Sequence, residues 1–274
     1  MDASTKRMFH YRAGASPLGG HITHPTEKTI HTQAASSLAQ AGGHVESRTG
    51  PYRMDHIVSC DQAYSHSSGV QNKTTGSWEV VITSVVEKLN VLEIVTADKI
   101  VSRLFVEHPH VGYNPRVSAI GSSFVNLRVA GVSIDPVLDH DLLTLPLGKD
   151  GFPTELHTED QKFIGRVVEQ TDKIVAAKTA PQWLKGRHSW VKSPPERKKR
   201  GFVLCSLVNE LQGAKPGTSH GHVMHVPGFG NVFFGELVIA PHSYRLTMVR
   251  TEMGCLADGN VSAGTADSNG FPIP

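Results

Sequence analysis

Cysteine is scarce in this sequence, and nowhere do apolar residues run long enough to form a membrane-spanning helix. The three cysteines, Cys60, Cys205 and Cys255, are too few and too widely spaced for a disulfide framework or a zinc cluster. A spanning helix needs about 18 or more consecutive apolar residues, and the sequence has no such run. Residues 1–12 are polar and lack the apolar core of a secretion signal, so we expect a cytoplasmic protein.

Net charge is also small, apart from one basic segment. The 27 Lys and Arg residues nearly balance the 25 Asp and Glu residues, and the net charge of +2 by itself predicts neither a nucleic-acid nor a membrane partner. Residues 183–200 differ, because they hold seven Lys or Arg residues and one Glu. This segment is predicted to be a loop, and the overlapping residues 188–201, which contain the adjacent prolines Pro194 and Pro195, are the best candidate for a linker.

The basic loop at residues 183–200 is a candidate binding surface for an anionic polymer or a carbohydrate. Lys and Arg contact anions, and indole rings stack on bases or sugars. The alternative interpretation is a solvated loop whose charge favours solubility, and the lack of a second basic patch argues against nucleic acid. The candidate binding residues are Trp183, Trp190, Arg197, Lys198, Lys199 and Arg200.

Turn-forming residues are plentiful, and the apolar residues between them mostly alternate with polar ones. The 26 Gly and 16 Pro residues are spread without a period, which favours many short strands joined by tight connections. We therefore predict a mainly β fold of antiparallel, sandwich-like layers in a single domain over residues 1–274, with any internal boundary near 188–201. Strands are predicted at residues 80–86, 89–95, 123–134, 202–208, 231–240 and 244–251.

One segment, residues 158–178, is predicted to be an amphipathic helix. Thr158 and Gln161 have the spacing of a capping box, in which two side chains satisfy amide groups of the first helical turn. Apolar residues then recur at helical spacing and form one face, and Pro181 ends the helix. The apolar face consists of Phe163, Ile164, Val167, Val168, Ile174 and Val175.

Histidine is unusually frequent, with 16 residues in the chain. In an extended strand His220 and His222 would lie on the same face, and a divalent transition metal requires imidazoles that converge in this way. His225 is at odd spacing from both, so it joins them only if the backbone bends. The alternative interpretation is a set of hydrogen-bonded histidines without a metal. Metal binding, or a metal-dependent enzyme, is therefore one hypothesis for this cluster.

The sequence predicts no catalytic residue. Residues 217–221 read Gly-x-Ser-x-Gly, but a hydrolase places this motif between a strand and a helix, and Pro227 and the glycines that follow it exclude the helix. Cys205 lies in an apolar run, where a thiol is packed and inert. We therefore favour a protein that is not an enzyme.

Five segments of the sequence together carry a resemblance to a known family. They are residues 9–13 (FHYRA), 91–98 (VLEIVTAD), 121–131 (GSSFVNLRVAG), 203–208 (VLCSLV) and 245–250 (RLTMVR). They resemble a family of uncharacterised bacterial proteins of similar length, over nearly the whole chain. The middle of the chain is also distantly similar to β-rich surface modules called choice-of-anchor domains, although no export signal or anchor is recognised. The resemblance implies a bacterial origin and a β-rich fold, and it assigns no catalytic residue.

The function expected from the sequence is that of a non-catalytic module that binds a ligand or assembles with copies of itself. Many strands leave exposed sheet edges, and chains often cover such edges by pairing with a second copy, so a homo-oligomer is expected. Two alternatives stay open: metal binding through the histidine cluster, and anionic-polymer or carbohydrate binding through residues 183–200.

Overall fold

The fold is built mainly from antiparallel strands, as the sequence predicts. The computed structural model describes residues 8–112 and 114–273, and no helix within them is long and apolar enough to cross a membrane. The strands of this part of the chain are β1 (Met8–His10), β2 (Ala13–His24), β3 (Lys28–Gln33), β4 (Ser36–Ser37), β5 (Gly43–Thr49), β6 (Tyr52–Met54), β7 (Val58–Cys60), β8 (Gln62–Gln71), β9 (Trp78–Val91), β10 (Val95–His108), β11 (Arg116–Ser118), β12 (Ser123–Val125), β13 (Arg128–Val129), β14 (Val132–Ser133), β15 (Asp135–Leu138), β16 (Val203–Ser206), β17 (Val208–Gln212), β18 (Thr218–His220), β19 (Val223–Val226), β20 (Gly230–Ala240), β21 (Ser243–Gly254), β22 (Asp258–Ser268) and β23 (Phe271–Ile273).

Two large sheets contain most of the described strands. In the nine-stranded sheet the main order is β18-β19-β20-β21-β22-β2-β3, with β16 beside β20 and β4 beside β2. The ten-stranded sheet is centred on the hairpin of β9 and β10. On the β9 side lie β8 and then β5, with β7 and β6 further along, and on the β10 side lie β11, β12, β13 and β14. Two small ladders, β1 with β23 and β15 with β17, complete the pairing.

The two large sheets pack face to face and enclose the core. Strands β2, β21 and β22 of one sheet contact β8, β9 and β10 of the other. Alternate residues of β9, including Val80, Ile82 and Val86, are fully buried, as expected for a strand with one covered face. Across from them β22 carries small residues, and a Cβ atom at Gly264 (φ +65) would lie only 3.0 Å from Cγ2 of Ile100. Glycine therefore permits close approach of the layers there, and the predicted sandwich-like layering is confirmed.

The predicted amphipathic helix is present as α1 (Gln161–Val175), within the predicted residues 158–178. Its cap is Asp160 instead of Thr158, since the Asp160 carboxylate accepts the N–H of Phe163 at 2.6 Å. The apolar face packs on β16, and the Gln170 side chain exchanges two hydrogen bonds with the backbone of Ser206, at 2.9 and 3.1 Å. These bonds fix α1 against the edge of the nine-stranded sheet.

Residues 183–200 are helical, so the prediction of a loop there is wrong. They belong to α2 (Gln182–Ser189), a 3-10 turn (Trp190–Lys192) and α3 (Pro194–Arg200). Pro194 and Pro195 lie in the first turn of α3, where the missing N–H groups would have no partner within the helix. Glu196 in the same turn interacts favourably with the helix dipole. The two prolines therefore begin a helix here.

Two predicted strands are interrupted by turns in the structure. The segment 89–95 contains the end of β9 and the beginning of β10, because Leu92 and Glu93 adopt positive φ angles of 52° and 57° in the turn between them. The segment 123–134 is divided into β12, β13 and β14. The other four predicted segments each contain a strand, and the β20–β21 hairpin turns at Pro241 and His242.

Candidate ligand groove and the charge cluster beneath it

The predicted binding residues lie on a helical layer that packs on the nine-stranded sheet. Leu184 of α2 is buried together with Ile174 of α1 and Phe233 of β20. Trp183 is 44% exposed, and its ring packs edge-on against Phe233 with 6.4 Å between the ring centroids. Apolar contacts therefore hold α2 on the sheet while Trp183 keeps an accessible surface.

A groove of about 380 Å³ opens where α2 and the 3-10 turn meet β16 and β20. The Trp190 ring forms one of its walls, held by a hydrogen bond from Nε1 to the carbonyl oxygen of Arg187 at 2.7 Å and by an edge-on contact with Phe202. The guanidinium carbon of Arg200 lies 4.6 Å from the Trp190 ring centroid. The groove thus combines an aromatic wall with a cation. Its lining residues are Gly186, Arg187, Trp190, Arg200, Phe202, Leu204 and Val238.

Helix α3 carries the remaining predicted binding residues and buries no side chain. Arg197 donates a hydrogen bond from Nη1 to the carbonyl oxygen of Val191, which ties α3 to the 3-10 turn. Lys198 and Lys199 are exposed, and neither forms an ion pair within the part of the chain that the structure describes. Their ammonium groups are therefore available to a ligand. The alternative role of these cations is to interact with the carbonyl end of α3.

A buried cluster of charges lies beneath the groove. Glu236 of β20 is 5% exposed, and its carboxylate accepts two hydrogen bonds from Arg250, through Nε at 2.5 Å and Nη2 at 3.1 Å. The groove residue Arg187 donates from Nη2 to the same carboxylate at 2.9 Å. Arg250 also donates to Glu252 and stacks 3.8 Å above the Phe233 ring. Glu236 therefore joins the wall of the groove to the sheet.

The ionised form of Glu236 is the stable one despite its burial. Burial raises the pKa of this carboxyl group, but the hydrogen bond and positive charge of Arg250, helped by Arg187, outweigh that effect. The net pKa is below the ordinary value. The cluster is thus a compensated set of two guanidinium and two carboxylate groups, which is consistent with its burial between α2 and the sheet.

Two buried histidines, His188 of α2 and His222, pack edge-on beside this cluster, with 5.5 Å between the ring centroids. Burial lowers the pKa of His188 to about 3, with a further decrease from His222 and Arg187, and lowers the pKa of His222 to about 4, against the opposing effect of the Glu236 carboxylate. Neither Nε2 atom has a hydrogen-bond partner among the described residues. Both rings are therefore held neutral at pH 7.

The structure places the three histidines of the predicted metal cluster in two surroundings, because His220 and His225 lie on the paired strands β18 and β19 and His222 lies in the turn between them. His220 ends β18 and His222 lies in the following turn, where it faces His188. His225 of β19 is exposed, with 3.0 Å between its Nδ1 atom and Oδ1 of Asn231. Within residues 8–112 and 114–273 no group of three or more His, Cys, Asp or Glu side chains is arranged to hold a metal ion. Metal binding by His220, His222 and His225 stays a prediction.

The cysteines occupy packed positions. Burial raises the pKa of the Cys205 thiol, and it is the leading cause of a raised pKa at Cys60 as well. A raised pKa keeps a thiol protonated at neutral pH, and the protonated form is a poor nucleophile and a poor metal ligand. This agrees with the interpretation of Cys205 as a core residue.

The sequence reasoning missed Arg187, Glu236 and Arg250 as partners in a site. One signal was present, because Glu236 is the single charged residue in the otherwise apolar strand β20 and follows Gly235. A carboxylate in such a strand needs a buried cation. Its partners could not be identified from spacing, since Arg187 is 49 residues away and Arg250 is 14 residues away.

Comparison with protein families gives one match, which covers residues 9–240. The matching model is described as a domain of unknown function, DUF8256. The chain belongs to this family. The match includes α1, α2, α3 and the strands that line the groove, so the groove lies inside the matched region, whereas Arg250 and Glu252 of the charge cluster lie beyond it. Curated proteins and solved structures each yield no match to the chain.

Proposed function

We propose that this chain is a non-catalytic binding module, and that its groove and helix α3 together bind an anionic polymer. The observation that carries the proposal is the Arg200–Trp190 pair in the groove, next to exposed lysines on the same helix that have no ion-pair partner among the described residues. An aromatic face with an adjacent guanidinium suits a base or sugar ring that carries an anionic group.

The positions of the lysines favour a polymer over a small molecule. A groove of about 380 Å³ is near the lower limit of ligand pockets, which are on the order of 300–1,000 Å³, so it would hold one ring of a chain. Lys198 and Lys199 lie outside that space, where they would contact anionic groups of the neighbouring units. Arg187 is already hydrogen-bonded to Glu236, so in this proposal Arg200 supplies the cation within the groove.

Binding can be tested by fluorescence anisotropy with two labelled probes, a heparin fragment and an oligo-dT strand, at several salt concentrations. Replacing Lys198 and Lys199 together by alanine should weaken binding about tenfold or more and lower the slope of log K against log salt by about two. The two probes distinguish sulfated sugar from phosphate as the anion. Failure of both probes to bind at low salt would contradict the proposal.

A matched control distinguishes binding at this surface from attraction by the net charge of the protein. Lys73 and Lys215 are exposed and lie outside the groove lining, so the double change Lys73→Ala and Lys215→Ala removes the same net charge. We expect this variant to bind within about twofold of the wild type, since it would lose only long-range attraction. Equal losses in the two double variants would show that binding depends on net charge alone and would overturn the assignment of the site.

A further inference from the structure

Strand β5 (Gly43–Thr49) forms an open edge of the ten-stranded sheet. It pairs with β8 in a continuous antiparallel ladder from Gly43↔Gly69 to Thr49↔Ala63, without a register shift. Its other edge forms no ladder with any strand in the described part of the chain, and no residue of β5 is buried. Such an edge presents unpaired N–H and C=O groups to a further strand.

This edge lacks three of the features that often prevent strand pairing. Lysine, proline and bulges commonly block an edge, and β5 contains none of them. At an end of the other sheet, β3 carries Lys28, and its ladder with β2 shifts register between Leu18 and Gly20. The contrast indicates that β5 is the edge suited to receive another strand.

The side chains of β5 alternate, with Glu46 and Arg48 on the exposed face and Val45, Ser47 and Thr49 on the half-buried face. Neither Glu46 nor Arg48 forms an ion pair in the described ranges of the chain. The Arg48 guanidinium carbon lies 5.4 Å from the ring centroid of Tyr64, its neighbour on β8. The carboxylate of Glu46 and the guanidinium of Arg48 can therefore each pair with a charge on a second strand.

The sequence of β5 is complementary to itself. When two copies run antiparallel about a two-fold axis at Ser47, Glu46 lies opposite Arg48 of the second copy, and Arg48 lies opposite the second Glu46. Val45 then meets Thr49, so the exposed faces and the half-buried faces of the two sheets coincide. Centring the pair on Glu46 or on Arg48 instead would place identical charges opposite each other, which is unfavourable. Of these three registers, the one centred on Ser47 alone places opposite charges against each other.

We propose that two copies of this chain form a homodimer by antiparallel pairing of β5 with β5, in the register centred on Ser47. The pairing joins the two ten-stranded sheets into one continuous sheet across an isologous, two-fold interface. This dimer goes beyond the proposed function. It is also independent of that function, because the groove lies on the nine-stranded sheet. The dimer would present two grooves, which can engage one polymer together.

A charge-exchange cycle tests the register. Sedimentation velocity between 1 and about 100 µM should show a dimer for the wild type, since specific but small interfaces dissociate in about this range. Glu46→Arg and Arg48→Glu each place like charges opposite each other twice, and each should raise the dissociation constant about tenfold or more. The double variant Glu46→Arg with Arg48→Glu restores both pairs in exchanged positions, so it should dimerise like the wild type. Lys215 lies in the connection between β17 and β18, outside the ten-stranded sheet, so Lys215→Glu should leave the dimer unchanged.

Each outcome decides the proposal. A wild type that is monomeric at 100 µM overturns it, and so does a dimer that is insensitive to both single changes, because the interface then lies elsewhere. Recovery in the double variant supports the register, whereas failure to recover, with circular dichroism showing a folded protein, contradicts it. A wild type that dimerises but binds neither probe at low salt would contradict the proposed function alone.

Discussion

Replacing Glu236 by glutamine is expected to lower the free energy of unfolding by about 3–5 kcal/mol, the usual cost of removing one member of a buried ion pair. The amide has nearly the volume of the carboxylate, so the loss arises from charge and not from a cavity. Arg250, which is mostly buried, would keep its positive charge with only the exposed Glu252 to balance it. Urea unfolding followed by tryptophan fluorescence at pH 7.5 measures the change.

Two controls give this prediction its specificity. Glu252 also contacts Arg250, but its side chain is 39% exposed, so Glu252→Gln should cost less than about 1 kcal/mol. Replacing the pair together, as Glu236→Leu with Arg250→Met, removes both charges and should recover most of the loss seen in the single variants Glu236→Leu and Arg250→Met. Arg187 is 35% exposed and can turn to solvent in that variant. A double variant as unstable as the sum of the singles would show that Glu236 and Arg250 are not energetically coupled.

The architecture follows from local patterns that a sequence displays directly. The alternation of apolar residues along β9 indicates a strand with one covered face. The helical spacing of Phe163, Ile164 and Val167 indicates a helix that packs on a sheet. The register between strands cannot be predicted from such patterns. It depends on turns such as Leu92–Glu93, where residues other than glycine adopt positive φ. Such turns carry no strong sequence signal, which explains why a strand was predicted across this one.

The helices α2 and α3 escaped prediction for a related reason. α3 buries no residue, so it has no apolar period to detect, and its beginning is encoded instead by Ser193-Pro194-Pro195-Glu196. Reading the prolines as helix-starting residues would have identified it. The candidate site was half predictable: the basic and aromatic residues were found from composition, but the contact of Arg187 with Glu236 joins residues 49 positions apart and exists only once the helices pack on β20.

Acidification should unfold the protein well above the pH at which most carboxylates titrate. Burial lowers the pKa of four histidines, to about 3 for His108 and His188 and to about 4 for His157 and His222, from an ordinary value of 6.5. Between those limits the unfolded chain binds protons that the native protein does not, so stability falls as pH falls below 6.5. Each histidine would cost on the order of 2 kcal/mol between pH 6.5 and 5. Four of them approach the whole stability of a typical domain, about 5–15 kcal/mol.

Urea unfolding at pH 7.5, 6.5, 5.5 and 5.0 tests this expectation. Single variants show which histidines cause the loss of stability. His108 packs 4.7 Å from the Phe9 ring, and neither of its ring nitrogens has a hydrogen-bond partner among the described residues. His108→Leu should therefore retain or increase stability at pH 7.5 and reduce the loss at pH 5 by on the order of 2 kcal/mol. The exposed His31 is the matched control, since His31→Gln changes no buried group and should leave the acid sensitivity unaltered. Constant stability from pH 7.5 to 5 would mean that these rings can be protonated in the native protein, and that the core around them admits water.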